Sequence, residues 1–313
     1  MNPFRRRLDL TLPAGKGLSL RIVERPGLSL SPTALAKLVE DLRRVARSTL
    51  PAGELDYGVF TQDGEALRSS VVTVVYDART GQPVAFNALA LMEAELGGRP
   101  VEILHLGLVM VDPERRGRGL SDMLYGLTCV LLFVRRQCRP LYLSNVTQVP
   151  AVFGMVAETF ADVFPTPERP AGPSFTHRLL ARQIMARWRH VFGVGADADY
   201  DPERSIIKNA YTGGSDHLKK AFAAAAPHRK AAYNAFCERE LDYDRGDDVL
   251  QIGQINLEAA SRYLARIARP GSAPWLAGSI VIIALGAAVL PVLHWFADDQ
   301  AYGALRPWRP LRS

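Results

Sequence analysis

Between residues 71 and 111 the apolar positions fall into three dense runs. Residues 71–76 are rich in β-branched side chains, and residues 84–92 and 101–111 follow them. Polar turns at 77–82 and at Gly97-Gly98-Arg99-Pro100 separate the runs. Three such runs joined by short turns predict an antiparallel meander. An alternating stretch at 18–23 predicts a strand ahead of it. Ser31-Pro32 then offers an N-cap hydroxyl and a first-turn proline to a helix whose apolar face is Leu35, Leu38, Val39, Leu42 and Val45. Lys37, Arg43, Arg44 and Arg47 lie mostly off that face, so the helix reads as amphipathic and its charges as solvated. Residues 120–136 are apolar almost all round and predict a helix. Leu141-Tyr142-Leu143 reads as a strand, 150–160 as a helix and 249–255 as a last strand.

Past residue 173 the pattern changes. Residues 174–192 place Leu180, Ile184, Trp188 and Val191 on one stripe beside Arg178, Arg182 and Arg189. Such a helix suits a bilayer surface or the flank of the preceding domain. Residues 193–248 read as polar and helical. Asp242, Asp244, Asp247 and Asp248 lack the order of a calcium loop and read as a solvated turn. Residues 275–296 form a run of 22 without a charge, with Trp275 and Trp295 at or near its ends. That length predicts a single transmembrane helix. Arg262, Arg266 and Arg269 precede it and Arg306, Arg309 and Arg312 follow it, so charge leaves its orientation undecided. The expected division is a core over 1–173, a mainly helical extension over 174–270 that adds a last strand, and a membrane anchor with a short tail over 271–313.

Composition narrows the partners. The 313 residues are 48% apolar, ordinary for a globular chain, and carry a net charge of +6. A sequence pI near 9.3 favours anions, whether nucleic acid, an anionic cofactor or a membrane surface. The basic residues lack aromatic interleaving or a recognisable module, which argues against nucleic acid. Cys129, Cys138 and Cys237 have no metal-ligand spacing, so no metal site is expected and a reducing compartment fits. Residues 1–12 have a basic start with no apolar run behind it, unlike a secretory signal.

The candidate chemistry lies between the third run of the meander and the apolar helix, at Val111-Asp112-Pro113-Glu114-Arg115-Arg116-Gly117-Arg118-Gly119-Leu120-Ser121. The glycines allow a ligand close to the backbone, and the helix start leaves amides unpaired, as a phosphate requires. No Gly-Lys-Ser/Thr follows as in a P-loop, and the glycine spacing differs from the dinucleotide fingerprint. The segment from Arg116 to Ser121, preceded by Val-x-Pro, resembles the Arg/Gln-x-x-Gly-x-Gly/Ala signature of the GNAT superfamily of acyl-CoA N-acyltransferases. Ser121 stands where Gly or Ala is usual. With the element order, the resemblance covers about residues 18–164. It implies an α/β fold with a mixed, mostly antiparallel, splayed sheet flanked by helices. It also implies acyl-CoA as cosubstrate and no permanently bound cofactor. By the same resemblance the backbone of Leu108, Val109, Met110 and Val111 meets the pantetheine, and Arg116, Gly117, Arg118, Gly119, Leu120 and Ser121 hold the pyrophosphate.

Acyl transfer to an amine needs the amine neutral, the carbonyl polarised and the leaving thiolate protonated. His105 lies eleven residues before Arg116, where several members of the superfamily carry a Glu or His base. Its imidazole has an ordinary pKa of ~6.5. Glu102 is the second candidate, on the opposite strand face by alternation. Many members use a tyrosine about seven residues beyond an Asn like Asn145 as the thiolate acid. Val152 and Phe153 occupy that region here, leaving Tyr142, Ser144, Thr147 or water. Asn145 orients substrate or caps the next helix. The expected protein is a membrane-anchored N-acyltransferase facing the cytoplasm, acting on a lipid amine such as a sphingoid base, as bacterial ceramide-synthase-like enzymes do. Acetylation of protein lysines or N-termini, and acyl-CoA binding without turnover, are the alternatives.

Overall fold

The computed structural model describes residues 8–15, 17–49, 58–61, 65–117, 119–136, 139–169, 172–213 and 219–267. Strands β1 (Asp9–Gly15) and β2 (Leu18–Glu24) form a hairpin, followed by the single turn α1 (Pro26–Ser29), helix α2 (Pro32–Thr49) and the short α3 (Glu65–Arg68). The expected meander is β3 (Ser70–Asp77), β4 (Pro83–Leu96) and β5 (Arg99–Val111). Helix α4 (Leu120–Arg135), strand β6 (Leu141–Thr147), helix α5 (Pro150–Thr159) and strand β7 (Ala161–Phe164) complete the first half. Helix α6 (Phe175–Arg187), strands β8 (Asp199–Asp201) and β9 (Ile206–Lys208), helix α7 (Ala231–Glu240), strand β10 (Asp248–Ile255) and helix α8 (Leu257–Ile267) follow. The strands make one sheet in the order β1-β2-β3-β4-β5-β6-β10-β9-β8, with β7 also on β10.

Period-two alternation sends successive side chains to opposite faces. One face carries Leu89, Leu91, Leu104, Leu106 and Leu143 under Leu124, Leu132 and Phe133 of α4 and Val156 of α5. Helix α4 is apolar all round because α8 covers its outer side. Tyr263 packs so closely on Gly126 that a Cβ there would lie 1.8 Å from its ring. The opposite face carries two separate clusters. In one, Leu38, Leu42 and Val45 of α2 sit on Val72, Val74, Phe86 and Met110. In the other, Leu180 and Ile184 of α6 sit on Met92, Ile103, Leu250 and Ile252.

Several expectations need correction. The region 193–248 is not mainly helical: it holds the β8–β9 hairpin, short 3-10 turns and only α7 among the described residues. Its strands are three residues each, too short to show a period. The aspartate turn is not wholly solvated, because Asp247 and Asp248 are buried. Asp247 bonds Arg245 and the amides of Asn209 and Asp242. Of the expected stripe, Leu180, Ile184 and Trp188 pack on the sheet, the second of the two readings, while Val191 lies past α6 and is exposed. The predicted last strand is present, as β10 between β6 and β9. The charge-free run 275–296 lies outside the described residues, among which no helix is long and apolar enough to cross a membrane.

Candidate active site

Strands β5 and β6 run parallel and part. They pair only at Ile103↔Tyr142, Leu104↔Leu143 and His105↔Ser144. Beyond that point β5 stays bonded to β4 and β6 stays bonded to β10. The two strand edges that face each other across the gap are therefore open. Parting coincides with a bulge: Ala90 pairs His105 but Ala88 pairs Leu108, so β5 holds one residue more than β4. Gly107 sits in the bulge, where a Cβ would come within 3.0 Å of the Ala88 carbonyl. The Tyr125 hydroxyl, reaching from α4, donates to the Gly107 carbonyl at 3.0 Å. Tyr125 carried no signal in the sequence beyond being a polar tip on an apolar helix.

Leu108 and Met110 pack with the α2 cluster, while Val109 and Val111 pack on the α4 side. At the end of β5 a 3-10 turn, Pro113–Arg115, forms with the Asp112 carboxylate accepting the Glu114 amide. Arg115 pairs with Asp77 at 3.0 Å, and the exposed Arg116 donates to the Val111 carbonyl. Gly117 and Gly119 have φ of 72° and 76°, and nothing stands within 4 Å of where their Cβ atoms would be. Gly119 is the N-cap of α4, with no side chain capping it. The start of α4, at Leu120 and Ser121, is thus open to an anion beside exposed backbone. Arg118 lies outside the described residues.

His105 occupies the last paired position before the gap and is 3% exposed. Its Nδ1 is 3.0 Å from the Oγ of the buried Ser144. Its Cδ2 lies 3.6 Å from where a Gly107 Cβ would be, so this edge of the ring faces the bulge. Phe192 stacks on the imidazole at 5.0 Å and 29°. Burial lowers the imidazole pKa to about 4, which keeps it neutral at pH 7. This pair and its cover are the arrangement that the sequence did not reveal.

The other candidates separate. Tyr142 is on the same strand face as Ser144 but two residues back from the gap, packed against the α6 cluster, and burial raises its pKa. Asn145 faces the other way and donates to Gln251, which in turn reaches the carbonyls of Phe153 and Pro165. Thr147 accepts the Val149 amide just before α5. Glu102 is held by Arg25 and Arg136. Two shallow depressions lie away from the gap, one beside His177 and Tyr200, the other between Cys129 and Tyr263.

No protein-family model matches the chain, and no protein of curated function does. Among solved structures, a ribosomal-protein-S5-alanine acetyltransferase from Vibrio fischeri matches at 11% identity, over 80% of this chain and 98% of its own, with a TM-score of 0.33. An acetyltransferase from Trypanosoma brucei matches at 24%, over 38% and 76%, with a TM-score of 0.27. An aminoglycoside N-acetyltransferase in complex with CoA matches at 16%, over 47% and 88%, with a TM-score of 0.31. Identities and scores this low leave the functional reading to the chain's own residues. The mixed α/β sheet flanked by helices fits the fold implied by the motif at Arg116.

Proposed function

We propose that the chain transfers an acyl group from acyl-CoA to an amine. One observation carries this reading: β5 and β6 part at the His105–Ser144 pair, and the chain of β5 leads, twelve residues past Gly107 of the bulge, to Gly119 at the uncapped, glycine-flanked start of α4. A pantetheine laid along the open edge of β5 at Leu108, Val109, Met110 and Val111 has its pyrophosphate at Arg116, Gly117, Gly119, Leu120 and Ser121. Its thioester then lies level with the bulge. As the amine nitrogen attacks the carbonyl, the C–N bond forms and the C–S bond breaks. The amine proton passes to His105 Nε2, because Nδ1 is engaged by Ser144. Ser144 Oγ supplies the proton to the departing thiolate and recovers one from His105 Nδ1. Tyr142 and Asn145 support the strands rather than this relay.

The acceptor in this reading is a lipid amine such as a sphingoid base, and the chain is anchored at a membrane by residues 275–296 with its catalytic part facing the cytoplasm. Two features support it: the charge-free run itself, and the apolar character of the strand face beside His105, where Ala90, Gly107, Leu108 and Val146 are the partly exposed residues. The test uses detergent-purified full chain with short- and long-chain acyl-CoAs and a mixture of amine-bearing lipids and basic peptides, following CoA release and product mass. A long-chain amide on a lipid amine is the expected product. Acetylated peptide replaces the acceptor, and CoA binding without any product replaces the enzyme by a binding module.

A further inference from the structure

The imidazole that the reaction needs is roofed. Phe192 ends the 3-10 turn Arg189–Phe192, and among the described residues its ring alone stacks on His105. Phe192 is no core residue: it is half-buried at the margin of the α6 cluster, and Val191 beside it is exposed. The turn is anchored on both sides of Phe192. Trp188 donates to the Glu93 carbonyl at 2.9 Å, and Arg189 reaches the carbonyls of Met185 and Ala196 at 2.7 and 3.0 Å. Beyond Phe192 the chain turns through Gly193, at φ 74°, with the Gly193 and Val194 amides donating to the His190 and Arg189 carbonyls and Val194 buried. The backbone under the ring is therefore held, and the half-buried Phe192 ring moves by rotation about its own side-chain bonds.

The strand face under the ring is a seam. The α2 and α6 clusters occupy the same face of the sheet without merging, and His105 lies between them. Ala90, Gly107, Leu108 and Val146 border it and carry no charge. Titratable groups on the elements packed around His105 are turned elsewhere: Glu93 and Glu95 of β4 are exposed, Tyr142 of β6 packs on the α6 cluster, and His190 stacks on Trp188. A hydrated ammonium or a sugar finds no partner in such a seam, and an apolar body does.

We propose that Phe192 is the acceptor gate of this site and selects amines carried on an apolar body, which displace the ring from His105 and pack against it. The proposal rests on the N-acyltransferase reading for its chemistry, but not for its test. The full chain is compared with its Phe192→Ala and Phe192→Leu variants by two readouts that need no turnover. These are the NMR titration of the His105 ring and the rate at which diethyl pyrocarbonate modifies His105, located by mass spectrometry. Phe192→Ala is expected to lift the His105 midpoint from about 4 toward the ordinary ~6.5 and to speed modification at least ~10-fold. Phe192→Leu keeps an apolar cover and stays near the parent. Dodecylamine is expected to bind the parent at least ~10-fold more tightly than Phe192→Ala, and spermidine to show no such difference. An unchanged midpoint and rate in Phe192→Ala, or equal dodecylamine affinity, overturns the gate. If His105 is uncovered and dodecylamine binding falls as expected while no amine is acylated, the gate stands and the transferase reading fails.

Discussion

At the scale of single residues, two buried groups give the protein opposite pH dependences. The folded pKa of His105, about 4, lies below the ~6.5 of an unfolded chain, so between those values the unfolded state binds more protons. Stability therefore falls as pH drops from ~6.5 to ~4, by about 3 kcal/mol in the limit. In urea titrations at pH 7 and 4.5, His105→Gln is expected to lose less than the parent on acidification. Asp248 behaves in reverse. Burial raises its pKa to about 7 from 3.8, with the Tyr211 hydroxyl donating to it as a partial offset. The proton held in the folded state stabilises below ~4, and that contribution is lost as pH rises through 7. Asp248→Asn is expected to gain on the parent between pH 4 and pH 8, by at most about 4 kcal/mol, in the same titrations. Ser144→Ala removes the imidazole's partner. It is expected to lower kcat at least ~100-fold while leaving CoA affinity within about twofold, as measured by steady-state kinetics and calorimetry.

At the scale of elements, the unit β5–turn–α4 carries the cosubstrate prediction. Gly119 has open space but a φ of 76°, so a side chain there strains the backbone rather than colliding with a neighbour. Gly119→Val and Arg116→Ala are each expected to weaken CoA about 10-fold and to leave pantetheine unchanged in calorimetric titrations, because only the former presents a pyrophosphate to the helix start. This unit was legible because its signals are local: a long apolar run, two glycines and an apolar helix. The meander, α2, α5 and β6 were legible for the same reason, and the Ser31 hydroxyl does meet the Ala34 amide. Strands β1, β7, β8 and β9 were not, since three to seven residues beside basic or polar segments leave little periodicity. The gap between β5 and β6 was legible only by resemblance. Whether two strands part depends on what lies on their far sides, and Leu106-Gly107 hint at it only as a glycine within a strand. Phe192 stands 87 residues from His105 and reached it through the fold, which no local pattern reports.

At the scale of the whole molecule, the segment after residue 173 is part of the sheet that holds the site. Strand β10 covers the full length of β6, from Ile255↔Leu141 to Val249↔Thr147, and thereby fixes the edge of β6 that borders the gap. Gln251 of β10 satisfies the buried Asn145 and two buried carbonyls, and α6 closes the cluster that includes Met92 and Ile103. Ending the chain at 173 strips β6 of its antiparallel partner and leaves Asn145 with an unsatisfied amide, a loss of several buried hydrogen bonds at about 1–3 kcal/mol each. That total rivals the roughly 5–15 kcal/mol by which a domain is stable, so the 1–173 chain is expected to be unfolded by circular dichroism and to bind no CoA. Ending it at 267 keeps every described strand and α8. This chain is expected to melt within a few degrees of the parent and to bind CoA alike. In sedimentation with phospholipid vesicles it is expected to stay in the supernatant while the parent pellets. Co-sedimentation of both chains would remove residues 275–296 as the anchor, and an unfolded 1–267 chain would show that the sheet draws support from beyond α8.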